Sequence, residues 1–343
     1  MPQQLVVQEI KEETKDFKTF TLACLPGEEI TYKAGQYLTL LHPNHPEEVR
    51  RSYSIVSAPA LKEPLKIGVK RIPNGILSRH LIDTVKPGDK LFTIGAAGFF
   101  TLPPHPENYR QIFFLAAGSG ITPILSLIKT TLHQFPEIKV VLIYSNQAPE
   151  TTYYKSEIEA LQNRFPATFV AEYIYSNSTD LARAHLHREL LVYFLRQFAV
   201  TTPAKTLAFT CGPKEYMRMC IYGFRFAGIP QENIRKEIFN VEKAIPKIEP
   251  PDKEQHLVTI KNGPKPMEFP VQFPVSILHE AKRHGLTLPY SCEAGRCGNC
   301  VAKCVKGQVW MSYNEVLTQK ELDQGLFLTC VGFPVGGNIS IEI

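Results

Sequence analysis

The sequence predicts a multidomain protein in three parts: an antiparallel β-barrel, an α/β domain built on a parallel sheet, and a small α+β module of the β-grasp kind. Three observations lead there. Short apolar runs separated by Pro, Gly and Asn fill the first hundred residues; apolar strands then alternate with helical stretches; and five of the eight cysteines crowd into the last fifth of the chain. At 343 residues the chain is too long for one ordinary domain, and each part can bury a core of its own.

The barrel strands are expected at residues 17–25, 36–42, 51–57, 65–71 and 90–95, with one helix at 77–85. Regular short strands with such turns suit a closed antiparallel sheet. Beyond Pro103, Pro104 and Pro106 the pattern changes. Strands at 111–116, 139–144, 168–174 and 205–210 alternate with helices at 124–134, 154–165, 186–198 and 214–227, which is the signature of βαβ units. Residues 242–255 are polar and hold three prolines, so they read as a semi-extended linker. The divisions are therefore 1–105, 106–241, the linker 242–255, and 256–343.

A formal charge of +5 and a pI near 8.6 suit anionic cofactors, and no Lys/Arg run interleaved with aromatics marks a nucleic-acid surface. Residues 112–128 are uncharged, but Gly118, Ser119, Gly120, Thr122 and Pro123 interrupt them. They read as strand, turn and helix rather than as a membrane span, which needs about 20 predominantly apolar residues. The first thirteen residues lack the basic and apolar regions of an export signal, so a cytoplasmic protein without a disulfide framework is expected.

The cysteines fall as Cys292-x4-Cys297-x2-Cys300-x29-Cys330. This is the plant-type spacing for a [2Fe-2S] cluster, in which a tight loop brings three thiolates and a distant strand end the fourth. Gly295 and Gly298 let the loop turn its amides toward the sulfurs. Zinc on Cys297 and Cys300 is the competing reading, but it needs a second close ligand pair, and Cys304 with Cys330 lacks that spacing. Cys304 itself reads as a small buried apolar residue on a strand. On these residues, 256–343 resembles a plant-type ferredoxin domain, including a helix at 277–285. Acidic and basic residues nearly balance there, unlike the strongly acidic free-standing ferredoxins, as suits a partner tethered in the same chain.

Arg51-Ser52-Tyr53-Ser54 lies on an expected strand, Val69 and Lys70 on another, and Asn74-Gly75-Ile76-Leu77-Ser78 opens a helix. A flavin dinucleotide needs a cation and a helix N-terminus for its pyrophosphate, and Arg51 with the Gly75–Leu77–Ser78 turn supplies both. Alone, the tetrapeptide also suits an edge strand with an exposed arginine. The set resembles the flavin site of the ferredoxin-NADP reductase superfamily. That resemblance implies FAD, with Arg51 on its pyrophosphate, Tyr53 against the isoalloxazine and Ser54 near the reactive N5. The superfamily usually has two glycines where Asn74-Gly75 stands; asparagine tolerates the left-handed turn.

Residues 113–123 form an apolar strand, a turn with Gly118, Ser119 and Gly120, and a helix start with Thr122 and Pro123. The glycines allow close approach to a pyrophosphate, and proline is tolerated in a first helical turn. The third glycine of the Rossmann fingerprint is missing, so the turn is either a binding loop or purely structural. Tyr144, Ser145 and Asn146 end the next strand, where a ribose would lie. Cys211-Gly212-Pro213 resembles the superfamily triplet whose cysteine lies beside the nicotinamide, and Glu237-Ile238-Phe239 its closing Glu-x-Phe.

Flavin, nicotinamide and cluster motifs follow one another along the chain and resemble the oxygenase-reductase branch with a C-terminal ferredoxin. The resemblance implies electron flow from NAD(P)H to FAD to [2Fe-2S] and on to an oxygenase, a di-iron enzyme among the candidates. A desaturase, a cytochrome, a hybrid-cluster protein, or a ferredoxin or flavodoxin is the alternative acceptor. A hydride carries two electrons and the cluster takes one, so the flavin must divide them. Ser54 and Cys211 then flank the hydride path with Glu237 nearby, and positioning does most of the catalysis. Asn146-Gln147 follows the second parallel strand in place of an arginine, which leans toward NADH, although Lys155 or Arg183 could reach a 2′-phosphate.

Overall fold

The computed structural model describes residues 2–42, 48–239, 249–261 and 266–343. They form two compact units, Met1–Ile238 and Phe239–Ile343.

The first unit begins with β1 (Gln3–Thr14), β2 (Phe17–Cys24), β3 (Tyr37–Leu41), β4 (Arg50–Ser54), β5 (Leu65–Lys70), the helix α1 (Ile76–Asp83) and β6 (Lys90–Ala97). Their antiparallel order is β4-β3-β6-β1-β2-β5, and a bridge between Ile55 and Ile67 joins the two edges into a barrel. Closure at this single bridge leaves the outer edge of β4 itself without a paired strand among the described residues. Leu5, Val7, Phe20, Leu22, Leu38 and Leu40 fill the interior, and Leu77 and Leu81 of α1 pack into it. The sequence pattern predicts no strand before residue 17. The structure corrects this with β1, which lies between β6 and β2. Only its Leu5 and Val7 are buried, so its polar second half carries no alternating signal.

The same unit continues with β7 (Gln111–Ala117), α2 (Ile121–Gln134), β8 (Lys139–Asn146), α3 (Lys155–Arg164), β9 (Phe169–Tyr175), α4 (Leu181–Ala184), α5 (Arg188–Gln197), β10 (Thr206–Cys211), α6 (Lys214–Phe226) and β11 (Ile234–Glu237). All pairs in the sheet β11-β10-β7-β8-β9 are parallel. A parallel sheet is covered on both faces, and β7 is accordingly apolar and buried almost throughout. Helices α2 and α3 pack on one face, α5 and α6 on the other. The uncharged run 112–128 is thus β7, a turn and the start of α2. No helix among the described residues is long and apolar enough to cross a membrane.

Barrel and sheet share a core. Phe17 of β2 stacks on Tyr153 with ring centroids 4.2 Å apart, and Phe100 meets Phe209 of β10 edge-on at 5.3 Å. Tyr154, buried and left-handed at φ +56°, shares a 2.9 Å hydrogen bond with Thr19 of β2.

The second unit holds β12 (His256–Ile260), β13 (Met267–Val271), α7 (Ile277–Arg283), β14 (Val301–Met311), α8 (Gln319–Asp323), β15 (Leu326–Leu328) and β16 (Gly332–Glu342). Its sheet runs β13-β12-β16-β14-β15, parallel only between β12 and β16, and Ile277, Leu278 and Ala281 of α7 are buried. Of the expected linker 242–255, residues 242–248 lie outside the described ones.

Gly35 is packed against the chain leaving the barrel and against Leu127 of α2. At φ +87°, a Cβ there would stand 1.9 Å from the Phe100 carbonyl oxygen and 3.1 Å from Leu127 Cγ. Gly35→Ala is expected to destabilise the first unit by about 3 kcal/mol, lowering its thermal midpoint by several degrees. Unfolding followed by circular dichroism checks this, and a midpoint within a degree of wild type contradicts it.

Candidate functional site

Strand β7 has β8 on one side and β10 on the other, so the chain leaves β7 in opposite directions at this point. Crevices beyond the carboxyl ends of such strands are where open α/β sheets bind ligands. Here the two loops touch. A Cβ on Gly120 would stand 2.1 Å from the Cys211 carbonyl oxygen, and one on Gly212 would stand 2.9 Å from Ala117 Cβ. Gly120 is therefore required by a backbone contact, and Gly212 by its contact with the Ala117 methyl. Gly118, at φ +52°, has open space above it.

The first turn of α2 carries no acidic side chain and no side-chain cap, so its amides suit an anionic group. Thr122 donates its hydroxyl to the Ser119 carbonyl at 3.0 Å, and Pro123 sits in that first turn. Two tyrosines brace the loop: Tyr144, noted in the sequence only as part of a strand end, and Tyr216, which sequence reasoning does not single out. Tyr144 donates to the Gly118 carbonyl at 3.1 Å and Tyr216 to the Ala116 carbonyl at 3.0 Å. Burial pushes both phenols well above their usual range. For Tyr144 the available signal is a tyrosine near the end of an aliphatic strand, whose hydroxyl must find a partner once buried; Tyr216, on α6, carries no such signal.

Cys211 ends β10 and stands in register with Ala116 of β7 and Glu237 of β11. It is fully buried, and burial first, then the Glu237 carboxylate, raises its thiol well above the ordinary value. Glu237 keeps some exposed surface as a residue, but its Oε2 is sealed and has no hydrogen-bond partner. Burial pushes its carboxyl up to about 8. Ser145 and Asn146 end β8 beside Ile174 and Tyr175 of β9, both partly buried. Pro213 is exposed, and Phe239 is exposed beyond the end of the first unit.

On the barrel, Arg51 and Tyr53 share one face of β4, and Ser54 is buried at its end. Arg50 pairs with Glu48, whereas Arg51 bonds the Arg50 carbonyl at 2.7 Å and has no ion pair among the described residues. Ser52 is exposed and its hydroxyl meets Thr39 at 3.2 Å. Burial holds the Tyr53 phenol above its usual value. Gly75 caps α1 with backbone alone; a Cβ there would strike Ser78 Oγ at 2.2 Å. Ser78 Oγ accepts from the Ile72 amide at 3.2 Å, so its hydroxyl holds the turn, and Leu77 is buried in the barrel core. Val69 is buried on β5, and Lys70 lies 3.9 Å from Asp16. Between barrel and the first turn of α2 there is little room, for a Cβ on Gly68 of β5 would stand 2.9 Å from Thr122 Cγ2.

In the second unit the four cysteines form two couples. Cys300 and Cys330 sulfurs are 3.2 Å apart, and Cys292 and Cys297 hydrogen-bond one another. Among the described residues no three His, Cys, Asp or Glu side chains converge as they would around one ion. Two irons, each taking two thiolates, fit this arrangement; one tetrahedral zinc does not. Amides of Ala294, Arg296 and Cys297 are directed at Cys292, that of Asn299 at Cys297, and that of Gly295 at Cys330. Gly295 lies at φ +69° and Gly298 at φ +79°, as the inward-turned loop requires. Arg296 stacks over Tyr313 at 5.4 Å and lies 3.5 Å from Glu315, tying the loop to the segment after β14. The buried position expected for Cys304 is corrected: it is partly exposed on β14, its thiol 3.4 Å from the Lys306 carbonyl.

Comparison with known proteins agrees with this geometry. The profile of an oxidoreductase FAD-binding domain matches residues 4–102, that of an oxidoreductase NAD-binding domain 114–221, and that of a 2Fe-2S iron-sulfur cluster binding domain 260–335. One component of the 1,2-phenylacetyl-CoA epoxidase of Escherichia coli (strain K12) is 30% identical over 98% of this chain and 96% of its own. The chain belongs to this family of flavin- and iron–sulfur-dependent oxidoreductases. The ferredoxin reductase component of 3-ketosteroid-9-alpha-monooxygenase from Rhodococcus rhodochrous is 29% identical, with the same 98% and 96% covered. Phthalate dioxygenase reductase shares the fold, with a TM-score of 0.62 and 20% identity over 100% of this chain and 98% of its own. This reductase thus uses FAD, a nicotinamide nucleotide and a [2Fe-2S] cluster, as its motifs imply.

Two outcomes are expected. A carboxyl raised by burial binds a proton in the folded state that the unfolded chain releases above its ordinary pKa, so Glu237 costs stability as pH rises from about 4.5 toward 8. Thermal midpoints of Glu237→Gln relative to wild type are expected to move in the variant's favour between pH 5 and 8.5, and a pH-independent difference contradicts this. For the cluster, Ser at Cys292, Cys297, Cys300 or Cys330 is expected to lower iron and sulfide content sharply, whereas Cys304→Ser retains both. Loss of iron in Cys304→Ser would instead make that thiol a ligand.

Proposed function

We propose that this reductase takes hydride from NADH in its first unit and delivers single electrons through its second unit to an oxygenase. Its parts are residues 1–105 for the flavin, 106–241 for the nucleotide, a linker at 242–255 and 256–343 for the cluster. The observation that carries the reading is the crevice where Gly118–Gly120 and Cys211–Gly212 meet at the switch point, in one compact unit with the Arg51–Ser54 strand. Relatives matching over 98% of the chain are named as part of an epoxidase and as a monooxygenase reductase component, which supports an oxygenase as the acceptor.

Each residue has a stated task. Arg51 and the amides at Gly75 and Leu77 hold the flavin pyrophosphate, Tyr53 and Val69 pack against its ring system, Lys70 and the Ser78 turn border it, and Ser54 sits at its reactive edge. Gly118, Ser119, Gly120, Thr122 and Pro123 cradle the nucleotide pyrophosphate, with Ser145 and Asn146 at a ribose. Cys211 and a largely protonated Glu237 exclude water and charge from the place where hydride moves, with Gly212 and Pro213 shaping its wall and Phe239 supplying the aromatic of the closing Glu-x-Phe. Bound flavin supplies the conversion of a two-electron donor into one-electron steps. Cys292, Cys297, Cys300 and Cys330 hold the cluster. All eight cysteines are free of disulfides, which supports work in the reducing cytoplasm.

The side chains that could favour NADPH are already occupied. Arg183 pairs with Glu172 at 2.9 Å and Lys155 lies 3.8 Å from Glu159. A 2′-phosphate would have to displace a carboxylate from either. NADH is expected to exceed NADPH in kcat/KM by about tenfold or more, roughly 1.4 kcal/mol. In the same assays Cys297→Ser is expected to keep NADH-dependent flavin bleaching while losing cytochrome c reduction. Loss of flavin bleaching in that variant would contradict the order of electron flow.

A further inference from the structure

Helix α2 does more than present its N-terminus. Ser126, one turn past the glycine loop, donates a buried 2.7 Å hydrogen bond to the backbone carbonyl of Ser57 on the barrel. Lys129, three residues on, has a side chain only 6% exposed and reaches Glu63 on the barrel at 2.8 Å and Glu157 of α3 at 3.0 Å. Glu63 in turn accepts from the Ala58 amide at 2.7 Å. The Ser57 hydroxyl is held by Tyr32 at 2.7 Å and accepts from the Lys66 amide at 3.0 Å.

The segment gripped in this way directly follows β4, the Arg51–Ser54 strand. One helix therefore carries the pyrophosphate loop at its head and is fastened along its flank to the chain leaving the flavin strand. A buried lysine is costly unless paired, and removing one partner of such a set leaves charge uncompensated. The two carboxylates are not equivalent. The Glu157 leg ties Lys129 within the nucleotide half, and the Glu63 leg crosses to the barrel.

We propose that Ser126, Lys129 and Glu63 are positioning residues that fix the separation of nicotinamide and flavin for hydride transfer, acting through α2. The proposal rests on the assignment of the Arg51–Ser54 strand to flavin and of the Gly118–Pro123 loop to the nucleotide. Hydride transfer is sensitive to placement, and a displacement of about 1 Å can cost on the order of a hundredfold in rate. A slackened clamp lowers the limiting rate more than it weakens nucleotide binding.

The test is anaerobic stopped-flow reduction of the holoprotein by NADH and by its 4-deuterated form, with wild type, Glu63→Gln, Glu157→Gln and Ser126→Ala. The Glu63→Gln substitution keeps an acceptor for the Ala58 amide while removing the charge that crosses to the barrel. It is expected to lower the limiting rate of flavin bleaching about tenfold, with NADH affinity within about twofold and flavin content unchanged. Its deuterium isotope effect should be at least that of wild type. Ser126→Ala should fall in the same direction, and Glu157→Gln should stay within about twofold of wild type. Wild-type rates in Glu63→Gln and Ser126→Ala, or equal losses in Glu63→Gln and Glu157→Gln, overturn the proposal. If Glu63→Gln loses its flavin, Ser126→Ala decides alone. Failure of NADH to bleach the wild-type flavin would instead sink the functional assignment itself.

Discussion

At the carboxyl ends of β7 and β10 two chain segments meet with nothing larger than the Ala117 methyl between them. Gly120 lies against the Cys211 carbonyl and Gly212 against Ala117, so the glycine loop after β7 and the strand end that carries Cys211 are in direct contact. Much of the geometry at this end of the sheet follows from that contact. It sets where α2 starts, hence where the α2 amides point, and it sets Cys211 in register beside Glu237. The sheet can afford this approach because its centre is fully buried on both faces, with helices supplying the cover. The barrel enters the same packing through Phe17, Gly35, Gly68 and Phe100, so the Arg51–Ser54 strand and the Gly118–Gly120 loop belong to one compact unit.

The chemistry divides between the two units along a physical line. The first offers amides, glycine loops and a carboxyl that burial pushes up to about 8, which suit dinucleotides and hydride movement. The second offers four thiols in two couples, with inward-turned amides around them, which suits two irons that exchange one electron at a time. Neither donor set could do the other's work. Their presence in one chain explains why the ferredoxin-like part needs no acidic surface to find its reductase.

Legibility in the sequence follows the range of the signal. The cysteine spacing is local, and its two couples lie as two irons require. The parallel strands are readable because burial on both faces makes runs such as Gln111–Ala117 continuously apolar. Strand β1 is not, because its second half, rich in Glu and Lys, shows no alternation, and its place between β6 and β2 is set by distant partners. Tyr144 and Tyr216 escape notice as loop braces, and Lys129 and Glu63 as a clamp, for the same reason: each acts on a backbone or charge tens of residues away. Cys304 is misjudged from sequence because a strand residue's face depends on register, and β14 is irregular against β16 around it.

The central claim is that one chain carries hydride electrons from nicotinamide through flavin to the iron–sulfur cluster. Anaerobic titration of the holoprotein with NADH, followed by visible absorption and by electron paramagnetic resonance at low temperature, tests it most directly. The account predicts bleaching of the flavin bands near 450 nm and of the broad cluster absorption, together with the signal of a reduced [2Fe-2S] centre. Flavin bleaching with the cluster left oxidised, or iron that gives no such signal after chemical reduction, would contradict it.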